Sequence, residues 1–246
     1  MISVTLLVKN GERTVQKVLE SLDSFNEIIL IDTGSTDQTV AIAKKFLNVK
    51  IFHRPFEGFG PLRNEAAQLA TNDWILALDC DEILSPDLQK EISEKSLNQD
   101  HLYSFRFQNY FNNRHIRWCG WHPESHIRLY NRKKTAFSNA QVHEGVEKRE
   151  LQIESFQAPV LHYPYASISD FLRKMEHYST LFAQQYHNKK KSSPLIALYH
   201  GVGAFVKSYL IKRGFLGGYE GFLISCYNGH VAFYKYLKLY HLNKGL

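Results

Sequence analysis

Cysteine is scarce in this 246-residue chain. Cys80, Cys119 and Cys226 are too few and too scattered for a disulfide framework, which excludes the stapled secreted scaffolds and points to a reducing compartment. Long apolar runs are missing as well. No uninterrupted stretch reaches about 18 residues, so no transmembrane helix is expected. Lys9 breaks the first apolar stretch at strand length, so no secretory leader is expected. No internal repeat is evident. Acidic residues nearly vanish late in the chain: after Glu176 only Glu220 remains, set against nine lysines and arginines. A basic segment of that kind calls for an anionic partner, whether a lipid surface, a phosphorylated substrate or nucleic acid. No nucleic-acid-binding module is recognisable, and nucleic acid is set aside as a partner.

What is present reads as a folded α/β protein. With 44% hydrophobic and 22% charged residues, the chain is not disordered. Its length suits one α/β domain, expected over residues 1–165, and a helical extension over 166–246. Residues 3–8 (SVTLLV), 28–31 (IILI), 49–53 and 74–78 (WILAL) are short apolar runs of the buried-strand type. Helical spacing separates them, at Val15, Val18, Leu19 and Leu22, at 40–47, where Ser35 or Thr36 could act as cap, and at 62–70. The alternation predicts a doubly wound, mainly parallel, Rossmann-like sheet with right-handed crossovers. Over 102–146 the pattern becomes aromatic and strand-like (YSFRFQNYF, HIRLY, the region around Val142), predicting antiparallel edge strands and loops that cover the open side of the sheet. Helices are expected from Ser167 or Ser169 to about Tyr186, over 195–212 and over 219–240.

In open α/β sheets, ligands bind beyond the carboxyl ends of the strands, and two acidic clusters fall there. Asp79-Cys80-Asp81 follows the fourth strand. Two carboxylates so spaced can converge on one hard cation, Mg²⁺ or Mn²⁺, together with substrate phosphates. The alternative is a solvated acidic turn or a cap for the helix after Pro86. Asp32-Thr33 ends the second strand, where a carboxylate can accept hydrogen bonds from a base or ribose. An Asx turn with a helix cap explains the same residues, and both can hold. Behind the Gly58/Gly60 loop, Arg63-Asn64 offers forked donors to phosphate.

The order SVTLLVKN, ILIDTGSTD, glycine loop with RNEAA, then DWILALDCDEIL resembles glycosyltransferase family 2. More narrowly, GFGPLRN, CGWHPESHIRLYNR, FSNAQVHEGV and HYPYASISDFLRKMEHYST resemble the lipopolysaccharide or lipooligosaccharide core β-1,4-glucosyltransferases. The resemblance covers nearly the whole chain. It implies a GT-A fold and an inverting, metal-dependent transfer of a hexose, glucose foremost, from a UDP-sugar to a glycolipid or saccharide acceptor. It also implies that Asp32 contacts the nucleoside, Asp79 the ribose or metal, and that Asp81 is the metal ligand proper. Inversion needs a general base on the face of the sugar opposite the leaving diphosphate. Glu144 is the first candidate and Glu124 the second. His143 is placed as an additional metal or diphosphate contact, and Arg128 as a phosphate partner or buttress of the base. The chain departs from the family at Thr33, where many members carry a second Asp. It departs from the narrower group at Glu124 and Gly217, where Asp is usual.

Other features have competing explanations. Cys119-x-x-His122-x-x-x-His126 is loosely spaced for zinc, but it lacks an obvious fourth ligand; histidines lining an acceptor cleft explain it more simply. Trp118 and Trp121 suit either a core or a sugar-stacking platform. The C-terminal helices mix aromatics with lysines, a composition suited to peripheral contact with an anionic membrane at its cytoplasmic face or to ordinary packing. Homo-oligomerisation is compatible with the sequence. Two other classes remain in view: a non-catalytic glycan- or lipid-binding protein derived from a transferase, and a metal-dependent nucleotidyltransferase. Intact Asp79 and Asp81 oppose the first. Against the second, Val8-Lys9-Asn10-Gly11 is too poor in glycine to cradle phosphate.

Overall fold

A computed structural model describes residues 1–139 and 144–246. The buried apolar runs become parallel strands: β1 (Ile2–Val8), β2 (Ile28–Asp32), β3 (Val49–His53) and β4 (Trp74–Asp79). Between them lie α1 (Val15–Glu20), α2 (Thr39–Ala43) and α3 (Phe59–Leu69). The short β5 (Glu82–Leu84) leads into α4 (Pro86–Glu94), followed by β6 (His101–Phe111), β7 (Arg114–His115), β8 (Glu124–Asn131) and β9 (Gln152–His162). The strand order is β3-β2-β1-β4-β8-β6-β9-β5, with β7 paired to β6. The sheet is parallel from β3 to β4 and turns antiparallel at β8. The aromatic strands β6 and β8 are antiparallel and extend the sheet beyond β4, in line with the antiparallel strands expected there. β9 falls where the sequence reading placed no strand, and the region around Val142 lies outside the described residues.

Side chains alternate across the sheet and build two cores. Val4, Leu6, Ile28, Leu30, Leu76 and Leu78 face α1 and α4 on one side. Leu7, Ile29, Ile31, Ile75 and Ala77 face Leu62, Ala66 and Ala67 of α3 on the other. Helices on both faces make the domain doubly wound, the α/β fold expected of a GT-A protein. Period-two alternation with both sets apolar is why the strand runs read as continuously hydrophobic. The helix after Pro86 is capped by Ser85, whose Oγ accepts from Leu88 N–H at 3.2 Å, so neither Asp79 nor Asp81 serves as that cap. α2 is a five-residue helix with no side-chain cap at its start, and Ser35 and Thr36 take other partners.

The chain forms two compact units, Met1–Gln108 with Glu124–Tyr163, and Asn109–Pro123 with Pro164–Leu246. Residues 109–123 thus go with the C-terminal helices. The second unit contains α5 (Ile168–Tyr186), α6 (Pro194–Val206), a π-helical turn (Lys207–Ile211), a 3₁₀ turn (Gly214–Gly217) and α7 (Gly218–Lys244). Ser167 and Asp170 form a capping box at the start of α5. Phe111, Ile116, Cys119, Phe171 and Ile224 form the core of this unit, with Trp118 and Trp121 packed against it. Trp121 stacks on Tyr165 at 5.4 Å, which accounts for these tryptophans as packing residues. Gly217 abuts Trp118, whose Cε3 lies 3.1 Å from where a Cβ would sit, so the aspartate usual in related sequences would crowd the indole. The stretch Pro194–Ile211 has a mean hydropathy of 1.2 and is only 11% buried, which makes it long and apolar enough to cross a membrane by length and composition.

Candidate active site

β1 is the common neighbour that assembles the site. Asp32 at the end of β2 registers with Val8, and Asp79 at the end of β4 registers with Leu7. Both carboxylates therefore emerge at the carboxyl edge of the sheet, one strand apart on either side. The loops there are sewn together before any ligand arrives. Asn10 N–H donates to Ser35 Oγ at 2.9 Å, Thr36 N–H to Asn10 Oδ1 at 2.8 Å, and Gly11 N–H to Thr39 Oγ1 at 2.8 Å. Gly34, at φ +98°, makes the sharp exit from β2 that a side chain would disfavour.

Asp32 is buried. Its carboxylate accepts from Ser35 N–H at 3.0 Å and lies 3.0 Å from His53 Nδ1, the residue beside it in register on β3. Burial opposes its charge, but the bonds from Ser35 and His53 hold its carboxyl below the ordinary range. Thr33 ties β2 to β1: its N–H and Oγ1 both reach Val8 O, at 2.9 and 3.2 Å. His53, two-thirds exposed, was not singled out from sequence. Only the register of β2 against β3 brings it to Asp32.

Asp79 sits in an ion cluster. Arg63 Nη2 donates to its Oδ1 at 2.7 Å and Arg128 Nη2 to its Oδ2 at 3.2 Å. Through Nε, Arg63 also holds Glu144 at 3.0 Å, while Arg128 pairs with buried Glu82. Glu82 in turn accepts from the Asp79 N–H at 3.0 Å. Burial works against a charged Asp79, but the two guanidiniums outweigh it and hold the carboxyl far below its usual range. For Glu82, burial and the neighbouring Asp79 charge prevail over Arg128, and its carboxyl is raised. Two donor atoms in this cluster, Arg63 Nη1 and Arg128 Nε, are buried without a hydrogen-bond partner among the described residues. Buried polar atoms are rarely left so, and these two mark where an acceptor-rich ligand would be welcomed.

Asp81 lies against His162 at the end of β9, with Nε2 3.6 Å from its Oδ1. The pairing of Glu82 with His162 across β5 and β9 sets this proximity. Burial lowers the basicity of His162, and Asp81 more than restores it, so the imidazole pKa is raised. Among the described residues no three His, Cys, Asp or Glu side chains converge to hold a metal alone. Asp81 and His162 nevertheless supply two donors of fitting type, and a cation of the Mg²⁺ or Mn²⁺ kind normally completes its shell with substrate phosphates and water. The cluster of Asp79, Glu82 and Glu144 also carries one more carboxylate than guanidinium. The residues fit a divalent cation. His143 lies outside the described residues.

Other expected site residues are placed as follows. The Asn64 carboxamide is committed to the backbone: Nδ2 donates to Phe137 O and Oδ1 accepts from Phe137 N–H, both at 2.9 Å. It thereby pins Phe137, which bridges to Val146 two residues beyond Glu144. Glu124 opens β8, 2.8 Å from His126 Nε2, and alternation places Glu124, His126 and Arg128 on one face of the strand. Cys119 is buried with its Sγ near Gly221 O and Ser225 Oγ, as a packing residue.

A doubly wound domain with carboxylates from two strand ends and paired guanidiniums at the carboxyl edge places a cluster of charged side chains where open α/β sheets bind their ligands. The sequence model of glycosyl transferase family 2 matches residues 3–151, and the chain belongs to that family. A glycosyltransferase of Rickettsia felis, otherwise uncharacterised, is 30% identical over 259 residues, covering 100% of this chain and 90% of the relative. The lipopolysaccharide core biosynthesis glycosyltransferase LpsC of Rhizobium meliloti is 24% identical over 250 residues, covering 97% and 92%. Among solved structures, TarS of S. aureus in complex with UDP aligns at a TM-score of 0.49 and 16% identity, covering 100% of this chain and 92% of that one.

Proposed function

We propose that this glycosyltransferase moves a hexose, glucose foremost, from a UDP-sugar to a lipopolysaccharide or lipooligosaccharide core or a related glycolipid, with inversion at the anomeric carbon. Such an acceptor is met at the inner face of the cytoplasmic membrane. The observation that carries the reading is the single guanidinium of Arg63, bridging Asp79 and Glu144 with β1 alone between Asp79's strand and that of Asp32. Similarity to LpsC along 97% of the chain supports the acceptor class.

In this reading Asp32 and His53 receive the nucleoside, with Thr33 holding the turn beneath it. Arg63 Nη1 and Arg128 Nε donate to the donor's phosphates. Asp81 and His162 would hold a Mg²⁺ or Mn²⁺ ion, which when bound would supply positive charge against the departing diphosphate. Glu144 accepts the proton of the acceptor hydroxyl as its oxygen bonds the anomeric carbon, and the bond from that carbon to the UDP oxygen breaks. Glu124, with His126, is the second candidate for this role. Asn64 acts by pinning Phe137, the bridge partner of Val146 just beyond Glu144.

The test is UDP release from UDP-glucose with and without Mn²⁺. Metal-dependent release is expected, with a loss on the order of a hundredfold or more in Asp81→Ala. Undiminished, still metal-dependent release in that variant would sink the cation assignment. Pyrophosphate release from a nucleoside triphosphate would favour a nucleotidyltransferase, and no release from any donor a binding protein.

A further inference from the structure

Helix α6 is apolar where a surface helix should be polar. PLIALYHGVGAFV contains no Lys, Arg, Asp or Glu, and only one side of it is packed. That side meets α7 at close range: a Cβ on Gly201 would lie 2.9 Å from Phe233 Cβ and 3.3 Å from Gly229 O. Leu198, Tyr199 and Val202, spaced to share the opposite side, are exposed, Tyr199 by 76%. The apolar surface does not end with the helix. Leu210 and Ile211 on the π-helical turn and Phe215 on the 3₁₀ turn are exposed too, Ile211 by 72%. Tyr209 links them, with ring centroids 5.4 Å from Phe205 and 6.4 Å from Phe215. About half of the exposed large apolar side chains among the described residues fall between residues 195 and 222. A concentration of that kind marks an interaction surface, since scattered single residues are the norm elsewhere.

The charge flanking it in sequence selects the occupant. Lys189, Lys190 and Lys191 precede the helix, and Lys207, Lys212 and Arg213 follow it. From residue 177 onward the one acidic residue is Glu220, and Arg114 holds it at 3.0 Å. A second copy of the chain would bring cations against cations, whereas an anionic bilayer satisfies both the apolar strip and its flanks. We infer that the outward face of α6 and the turns after it is a membrane-docking surface, lying flat in the headgroup region of an anionic bilayer. It lies flat because one side of α6 is already taken by α7 and Lys207 falls within the apolar stretch. This rests on the packing and charge of the second unit and not on the donor-site chemistry.

The experiment is sedimentation of the full chain with vesicles of phosphatidylcholine, with and without phosphatidylglycerol. Wild type is expected to bind the anionic vesicles and not the neutral ones. The pair L198E/I211E changes only exposed side chains, and should lower binding by roughly tenfold or more while UDP release from a soluble donor is unchanged. L47E, which places the same change on an exposed leucine of the first unit, should bind as wild type does. The proposal is overturned by full binding in L198E/I211E, an equal loss in L47E, equal binding to neutral vesicles, or no binding by wild type. It is also overturned by a lipid-free dimer that L198E/I211E dissolves, which would make the face a contact between copies.

Discussion

The guanidinium of Arg63 is the hub of the site because it satisfies two carboxylates that would otherwise repel. It is 3% exposed, with Asp79 at 2.7 Å and Glu144 at 3.0 Å. A buried guanidinium is costly unless it is paired, and removing either partly buried carboxylate leaves that charge short of a partner. Substitutions that keep shape are therefore the informative ones. Glu144→Gln retains an acceptor for Arg63 Nε but cannot take a proton, and kcat for transfer is expected to fall by about 10² to 10⁴ with donor affinity little changed. Glu124→Gln, next to His126, is expected to cost less than about tenfold in the same steady-state assay. The reverse order would exchange the two residues' roles. Asp79, Asp81 and Arg63 could be singled out from sequence because they follow a strand or a glycine loop, and Arg128 because it sits in the strand-like HIRLY run. Their partners could not. Glu82 looked like one more acid in a turn, and His162 reaches Asp81 only through the pairing of β5 with β9, two strands that share no local signal.

At the scale of elements, one carboxylate joins several. Glu27, just before β2, is 5% exposed and accepts from Lys50 Nζ of β3 and Thr71 N–H ahead of β4, both at 2.7 Å, and from Ser3 Oγ of β1. Burial opposes its charge, yet these donors hold its pKa at about 2, against an ordinary 4.5. A depressed carboxyl stabilises the fold above its unfolded pKa and loses that contribution as pH falls through the folded value. Glu27 should thus contribute on the order of 3 kcal/mol at neutral pH, lost between about pH 4.5 and pH 2. Urea unfolding of wild type and Glu27→Gln should show a stability gap that closes across that window. A gap independent of pH would mean the staple acts through shape alone. The elements joined here were legible in the sequence because β1 to β4 are buried on both faces and read as unbroken apolar runs. β9 was not: QIESFQAPVLH alternates weakly, is largely half-buried or exposed, and gains its place by pairing. The π-helical turn was likewise invisible, since Lys207–Ile211 continues the spacing of the helix before it.

At the scale of the whole molecule, charge is divided along the chain. Residues after Glu176 carry nine basic side chains and one acidic, a net of +8, so the preceding part carries −2 of the formal +6. The two parts should therefore respond differently to ions. Exposed cations act on an anionic surface over a Debye length of roughly 10 Å at 0.1 M salt and 3 Å at 1 M. Of the proposed donor-site charges, Arg63, Arg128 and Glu82 are largely buried and paired within the first unit, where screening by salt is weak. Raising salt from about 0.05 to 0.5 M should accordingly cut the fraction of protein bound to phosphatidylglycerol vesicles by roughly tenfold, while KM for the soluble UDP-sugar shifts less than about threefold. Both quantities can be read on one preparation, by sedimentation and by UDP release. Vesicle binding that ignores salt would leave the basic residues without a role in docking and assign it to the apolar strip alone. A KM that rises in step with vesicle loss would instead place the C-terminal cations in donor capture, against the division of charge seen here.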